Sequence, residues 1–208
     1  MDAGLKAGPI NNTVPYGGPD IGPAALEFAS AHVDALYSAQ ADTTSVALVE
    51  RLTQLGVKLK ATLLPIGYGA ELLTDKPTVA AMQGADFTAQ MAPVEASTPG
   101  AQAFKAALAA GGVTGPPGYG EQIAWQAAWA LKAGLDKFAK PNPTSAEFIP
   151  AMRSVNNFDA DGSLAPKKID FGAYNVKYQC LWIVELQGDA FVPYPNSPYC
   201  GTATQDVK

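Results

Sequence analysis

The polar residues that could do chemistry are concentrated in one short loop, where Ser38, Gln40 and Asp42 alternate with alanines. A hydroxyl, an amide and a carboxylate at this spacing can hydrogen-bond a small ligand. An apolar run at residues 33–37 precedes the loop, and an amphipathic helix over residues 43–55 follows it. Ligands gather at such strand-to-helix loops in parallel α/β sheets. The loop contains no glycine-rich phosphate fingerprint, so we expect a small ligand that is not a dinucleotide.

Catalysis, metal binding and nucleic-acid binding are not indicated. The single histidine, His32, and the two cysteines fit no metal-ligand spacing and no nucleophile–base pair. The 14 basic residues are scattered and the net charge is −5, whereas a nucleic-acid surface needs clustered lysine and arginine. We therefore expect no enzymatic activity, no cofactor, no metal and no nucleic-acid partner.

The two cysteines suggest a disulfide bond near the end of the chain. Cys180 lies in a strand-like run, and Cys200 lies in a tail rich in proline, asparagine and serine with few apolar anchors. A disulfide would pin this tail, and closing a loop of this size stabilises a fold by about 3 kcal/mol. The alternative is a pair of unrelated reduced thiols. We predict the disulfide, and with it an oxidising compartment.

Residues 33–64 have the pattern of a βαβ unit. Apolar runs at 35–37 and 61–64 flank a helix whose apolar stripe consists of Val46, Val49, Leu52 and Leu55. Gly56 stands where a helix end favours a left-handed residue. Connections of this kind are right-handed and join parallel strands, so the sequence predicts an α/β fold.

The remainder of the chain predicts a strand, three helices and a closing hairpin. The predicted bounds are 84–91 for the strand, 98–110, 121–139 and 145–155 for the helices, and 176–186 with 190–192 for the hairpin. The helix over 121–139 has a stripe of Ile123, Ala127, Leu131 and Leu135, with Trp125 and Trp129 beside it as core residues. It carries no charge between Gln122 and Leu131, which predicts burial on more than one side.

The order of these elements resembles a known family. With the turn at 158–164 and the hairpin around 184–192, the chain is similar to the C-terminal part of a type I periplasmic binding protein, in the branched-chain amino acid receptor group of ABC importers. The resemblance implies a Rossmann-like, doubly wound parallel sheet: lobe two plus the helical remainder of lobe one. On this mapping residues 1–91 and 165–208 form lobe two, and residues 94–158 form the remainder of lobe one.

The resemblance also implies a function and partners. Such proteins are extracytoplasmic and capture a small solute in an interlobe cleft for the permease of an ABC importer. The alternative is a sensor domain of the same fold that reports the solute to a partner protein. Because the family's proteins are longer, we expect further ligand anchors on an amino-terminal segment of the same precursor. That segment, or a second copy of this chain, would cover the helix over 121–139. Residues 1–3 do not begin a signal peptide, so we expect the secretion signal outside this chain.

The resemblance places ligand contacts in the loop after each of the two βαβ strands. Amino-acid receptors often carry an acid in the second loop, at residues 65–69, where this chain has Ile66 and Tyr68. This difference favours an aromatic or less charged solute over an amino acid-like one. Tyr119, between two glycines, would face the cleft or the hinge. The ligand-binding candidates are Tyr37, Ser38, Gln40, Asp42, Tyr68 and Tyr119.

Structural roles compete with ligand binding at three positions. Tyr37 ends an apolar strand and could belong to the core. Asp42 precedes three hydroxyl residues and could serve as a helix N-cap. His32 stands at a helix end, where we expect it on the surface near the helix C-terminus.

Overall fold

The computed structural model describes residues 6–139, 141–164, 166, 168–173 and 180–201. The chain divides into two compact units. Unit 1 comprises residues 1–88 and 185–192, and unit 2 comprises residues 89–184 and 193–208. The lobe boundaries inferred from the resemblance stay a prediction.

Unit 1 contains a parallel sheet with helices between its strands. Its elements are α1 (Gly22–Ser30), β1 (Ala35–Tyr37), α2 (Asp42–Gln54), β2 (Ala61–Leu64), α3 (Ala70–Thr74), α4 (Lys76–Ala81) and β3 (Asp86–Ala89, whose last residue belongs to unit 2). Strands β1 and β2 are parallel with Ala35 opposite Ala61, and β2 and β3 are parallel with Leu63 opposite Asp86. The predicted βαβ unit is therefore confirmed.

Helices α1 and α2 are each followed by a residue in the left-handed conformation. After α2, Gly56 has φ +79° and the Val57 amide donates to the Leu52 carbonyl, which closes the helix in a Schellman motif. After α1, His32 takes the same left-handed position with φ +53° and is exposed. The prediction that Gly56 ends the helix is confirmed, and His32 lies on the surface as expected.

A hairpin completes the unit 1 sheet. Strand β4 (Cys180–Gln187) and strand β5 (Ala190–Pro193) are neighbours, and the sheet order is β1-β2-β3-β4-β5. Only the part of β4 from residue 185 onward lies in unit 1. The Gln83 side chain holds the hairpin turn, since its amide donates to the Gly188 carbonyl at 2.9 Å and accepts from the Gly188 amide at 2.8 Å. The predicted hairpin is present from Cys180 onward, and residues 176–179 lie outside the described residues.

Unit 2 is built around three helices, α5 (Pro99–Ala110), α6 (Tyr119–Leu135) and α7 (Ser145–Arg153). Its core cluster consists of Met91, Val94, Phe104, Val155, Phe158, Ala160 and Leu164. Trp125 and Trp129 pack against this cluster, and the Trp125 ring lies 5.2 Å from Phe104. Both tryptophans are half-buried and belong to the margin of this core, while their expected packing on an absent part of lobe one stays a prediction.

The largest differences in element bounds are in one strand and one helix, where the predicted element extends further than the observed one. Strand β3 spans four residues, Asp86–Ala89, within the predicted 84–91. Helix α6 ends at Leu135 instead of residue 139, because the Lys137 and Phe138 amides bond the carbonyls of Gly134 and Leu135 three residues back, which tightens the chain into a turn. Hydrophobic periodicity alone does not show this tightening.

The predicted disulfide joins Cys180 to Cys200. The two cysteines are opposite each other where β4 pairs antiparallel with β6 (Tyr199–Cys200) in unit 2. Cys180 is fully buried and Cys200 is exposed, so the bond attaches the exposed tail to a buried strand. Among the described residues, no helix is long and apolar enough to cross a membrane.

Candidate functional site

The loops after β1 and β2 lie side by side at one edge of the unit 1 sheet. Because the strands are parallel, residues 38–41 and 65–69 both follow carboxyl ends of strands. A Cβ at Gly67 would stand 3.8 Å from the Asp42 Cβ and 2.9 Å from the Phe87 ring. With φ +120°, Gly67 is at a position that favours glycine. We call these two loops the carboxyl edge.

Tyr37 is the last residue of β1 and presents its ring at this edge. Its side chain is 65% exposed, whereas the preceding Leu36 is 7% exposed and points into the core. This alternation follows from the period of two in a strand. The structure therefore disfavours the interpretation of Tyr37 as a core residue within this chain and leaves its ring accessible to a ligand.

Ser38 is directed inward. Its residue exposure is 6%, and its hydroxyl lies 2.9 Å from that of Ser45 on α2, which is also buried. This pairing satisfies two buried hydroxyls and ties the loop to the helix. The geometry supports a structural role for Ser38, and its predicted ligand contact stays a prediction.

Gln40 uses both ends of its amide on an earlier segment of the chain. Its Nε2 donates to the Val14 carbonyl at 3.0 Å, and its Oε1 accepts from the Gly17 amide at 3.3 Å. The hydroxyl of Thr44, on the first turn of α2, donates to the Gly18 carbonyl at 3.3 Å. These bonds place the turn over residues 15–18 beside the carboxyl edge.

That turn brings a residue that sequence reasoning missed. The Gly18 amide donates to the Pro15 carbonyl at 2.8 Å, and Gly17 has φ +73° at the third turn position, which favours glycine. Tyr16 stands at the second position and is 69% exposed. The Pro-Tyr-Gly-Gly motif signals the turn, but nothing in it indicates which part of the sheet the turn adjoins.

Asp42 is exposed at the amino end of α2. The N-cap residue is Ala41, and Asp42 is the first helical residue, so the prediction of Asp42 as N-cap is wrong by one position. The physical reason is that Ala41 has the extended backbone of an N-cap and its carbonyl accepts the first helical bond, from the Ser45 amide at 2.9 Å. The Asp42 Oδ1 accepts from the amide of Thr43 at 2.8 Å. A negative charge is still favourable there, because the helix amino end is electropositive. The carboxylate remains exposed to solvent.

Tyr68 belongs to an aromatic cluster in unit 1. Its residue exposure is 4%, and its ring meets Phe191 edge-on with centroids 5.0 Å apart. Phe87 contacts the same Phe191 ring at 5.4 Å. Edge-to-face pairs of this kind stabilise a core beyond the area they bury. The packing explains the bulky ring between two glycines, and direct solute contact by Tyr68 stays a prediction.

Tyr119 begins α6 in unit 2 and is 45% exposed. Its hydroxyl accepts a hydrogen bond from Gln90 Nε2 at 3.2 Å. The residue is accessible, and its assignment to a ligand site stays a prediction.

The two loops of the carboxyl edge contain no charged residue, and the exposed Asp42 carboxylate follows the first of them. Asp34 and Lys60, which precede β1 and β2, form an exposed ion pair with 2.7 Å between Nζ and Oδ2. The hydrogen bond and charge of Lys60 lower the pKa of the Asp34 carboxyl, and Asp34 raises the pKa of the Lys60 ammonium. This pair lies at the amino ends of the strands, opposite the candidate site. Within the described part of the chain, no group of three or more His, Cys, Asp or Glu side chains could hold a metal ion.

Comparison with known proteins identifies similarity in family and fold. A family model described as "Periplasmic binding protein" matches residues 2–190. No curated protein matches the sequence. A structure of a branched chain amino acid ABC transporter protein from Thermus thermophilus with bound valine has a TM-score of 0.64 and 17% identity, covering 90% of this chain and 51% of that one.

Two further structures are similar. A leucine binding protein from Thermotoga maritima has a TM-score of 0.66 and 17% identity, with 86% of this chain and 49% of that chain covered. A solute binding protein from R. palustris in complex with benzoate has a TM-score of 0.59 and 17% identity, with 84% and 46% covered. The chain thus spans about half the length of the structures it matches.

Proposed function

We propose, starting from the fact that this chain belongs to the periplasmic binding protein family, that it captures a small solute outside the cytoplasm for an ABC importer. The three structures described above belong to ABC transporter or solute-binding proteins, which supports this role. The permease of the importer would be the partner that receives the solute.

The observation that carries the proposal is the accessible aromatic surface at the carboxyl edge. Tyr37 is 65% exposed there, and the turn that presents Tyr16 is hydrogen-bonded to the same loop. Large aromatic side chains with a polar tip suit the capture of small molecules, because the ring packs on the solute and the hydroxyl orients it. We assign Tyr37, Tyr16 and Asp42 as the residues that meet the solute.

We further propose that the solute is aromatic or weakly charged. The loop at residues 65–69 contains no acid, and the next acid along the chain is Glu71, exposed on α3. Of the residues described at this edge, a solute ammonium would therefore find the Asp42 carboxylate as its acidic partner. Benzoate, which the R. palustris protein binds, is the aromatic probe, and its ring would pack on the tyrosines with its own carboxylate turned away from Asp42. Valine, bound by the T. thermophilus protein, is the amino acid comparison.

Tyr37→Ala is expected to weaken benzoate binding about tenfold, because the solute loses one packed aromatic face. Isothermal titration or NMR-detected titration of the 208-residue chain measures the effect. Tyr37→Phe keeps the ring and should retain most of the affinity, while Tyr199→Ala removes another exposed tyrosine, from β6, and should change nothing. Unchanged affinity in Tyr37→Ala would remove Tyr37 from the site.

A second proposal concerns the partner that completes the fold. Helix α6 packs Trp125 and Trp129 on the unit 2 core, yet a second face of the same helix is open to solvent. Its members are Gly120, Ile123, Ala124, Ala127, Ala128, Leu131 and Leu135, all apolar and all exposed. Contiguous apolar surface of this kind marks an interface. We propose that an amino-terminal segment of a longer precursor, or else a second copy of this chain, covers it and supplies further solute anchors.

Leu131→Lys is expected to weaken that association at least about tenfold, because burying the lysine ammonium on an apolar surface removes its hydration. Leu131 is 52% exposed, so the change should leave the folded chain itself intact. Light scattering across a concentration series measures self-association, and Ala106→Lys on the exposed side of α5 is the matched control. A chain that stays monomeric at every concentration and also binds solute tightly would contradict the proposal.

A further inference from the structure

The hydrogen bonds of Gln40 differ from those expected of a ligand-binding residue. It lies in the loop after β1, where a ligand contact is expected, yet both polar atoms of its amide are used on residues 23 and 26 positions earlier in the chain. Its donor is bound by Val14 and its acceptor by Gly17. The amide keeps one donor and one acceptor site, but the two bonds fix the half-buried side chain in an orientation that faces the earlier segment.

The segment it holds has few other means of staying in place. Residues 6–20 form no helix or strand in the structure, so their position depends on hydrogen bonds from neighbouring elements. Near the turn, these bonds come from Gln40 and from the Thr44 hydroxyl. The turn has its own internal bond, from the Gly18 amide to the Pro15 carbonyl at 2.8 Å, and exposes Tyr16 at its corner.

We infer that Gln40 is a positioning residue that fastens the Tyr16 turn beside Tyr37, and that it acts on the solute through that turn instead of touching the solute. The inference rests on the proposed function, in which both tyrosines meet the solute. Without Gln40 the turn samples other positions, and the solute must order it on binding. That ordering cost lowers affinity although no solute contact has been removed.

The same unit contains a matched control for this experiment. Gln83 makes the same two-point bond with a turn, donating to the Gly188 carbonyl at 2.9 Å and accepting from the Gly188 amide at 2.8 Å. Gln83→Ala therefore removes an equivalent amide clamp from the β4–β5 hairpin. Comparing Gln40→Ala with Gln83→Ala shows whether the change in benzoate affinity is specific to the turn over residues 15–18 or follows from the loss of any glutamine that holds a turn.

The test measures amide hydrogen exchange and benzoate affinity on the same NMR samples of the full chain. In Gln40→Ala we expect faster exchange at the Gly18 amide, which reports the turn's own bond, and benzoate affinity lowered about fivefold. Gln40→Glu keeps the acceptor for Gly17 and should be intermediate in both. Gln83→Ala should speed exchange at Gly188 and leave Gly18 exchange and benzoate affinity unchanged.

Each alternative outcome is distinguishable. Weaker benzoate binding with unchanged Gly18 exchange in Gln40→Ala would show that Gln40 touches the solute, and would overturn the inference. Faster Gly18 exchange with unchanged benzoate affinity would also overturn the inference, because it would show that the position of the turn does not affect solute binding. Absence of benzoate binding to the parent chain would count against the proposed solute class, while the exchange measurement would still decide whether Gln40 holds the turn.

Discussion

Replacing Gly100 by alanine is expected to lower the free energy of unfolding by about 3 kcal/mol or more, because the added methyl group has no space. The first turn of α5 lies directly against the backbone at residues 162 and 163. A Cβ at Gly100 would approach the Gly162 carbonyl oxygen to 2.5 Å and overlap the Ser163 amide nitrogen. Backbone atoms cannot move aside as a flexible side chain can.

The opposing turn is also fixed from its other side. The Ser163 carbonyl accepts from the Ala92 amide at 2.8 Å, and the Ser163 hydroxyl donates to the Ala160 carbonyl at 2.7 Å. Asp159 Oδ1 accepts from the Gly162 amide at 3.2 Å. If the turn at residues 162–163 moved to relieve the overlap, these hydrogen bonds would break. The folded state is therefore destabilised in either case.

Urea unfolding followed by circular dichroism measures the Gly100→Ala effect. Gly120→Ala on α6 is the control, since no atom lies within 4 Å of its added Cβ. That control should gain about 0.5–1 kcal/mol from the higher helix propensity of alanine. A Gly100→Ala protein as stable as its parent would show that the α5 turn and residues 162–163 are further apart than described.

Loss of the disulfide is expected to have the second large effect, about 3 kcal/mol. The bond spans 20 residues and fixes a tail in which β6, a strand of two residues, pairs with β4. In Cys200→Ser this cross-link is gone, so the unfolded chain gains freedom and the tail keeps only its few hydrogen bonds to β4.

Reductant gives an internal check on the disulfide prediction. The parent chain should fall to the stability of Cys200→Ser when reductant is added, and Cys200→Ser should not respond to it. Cys180→Ser should be at least as damaging, because its hydroxyl would replace a fully buried sulfur. Two free thiols in the untreated parent, found by alkylation and mass measurement, would refute the pairing.

The sequence pattern was sufficient to predict those elements whose structure depends on residues close by in sequence. The strands at residues 35–37 and 61–64 have the predicted bounds, since alternation, a helical stripe and Gly56 all act within a few residues. The disulfide was also predictable, because a polar tail with few apolar anchors needs a covalent one. These features follow from composition and spacing alone.

The candidate site was less predictable because its side chains respond to distant partners. Tyr68 between glycines suggested a ligand contact, and nothing in the sequence indicated that its ring packs on Phe191, which is more than a hundred positions away. Gln40 suggested a ligand contact, which stays a prediction, and its amide is bonded to Val14 and Gly17. A sequence pattern shows which side chains follow the end of a strand. It does not show which of them pack on or hydrogen-bond to other parts of the chain.

Solute titration of the 208-residue chain tests the central claim most directly. Benzoate and valine are added separately while backbone NMR shifts are followed. The account predicts weak, saturable binding of benzoate, with a dissociation constant of about 1 mM or above, and still weaker binding of valine. Shift changes should be concentrated at Tyr16, Tyr37 and Asp42. Saturable binding that leaves all three unperturbed, or no response to either solute, would contradict a solute site at the carboxyl edge.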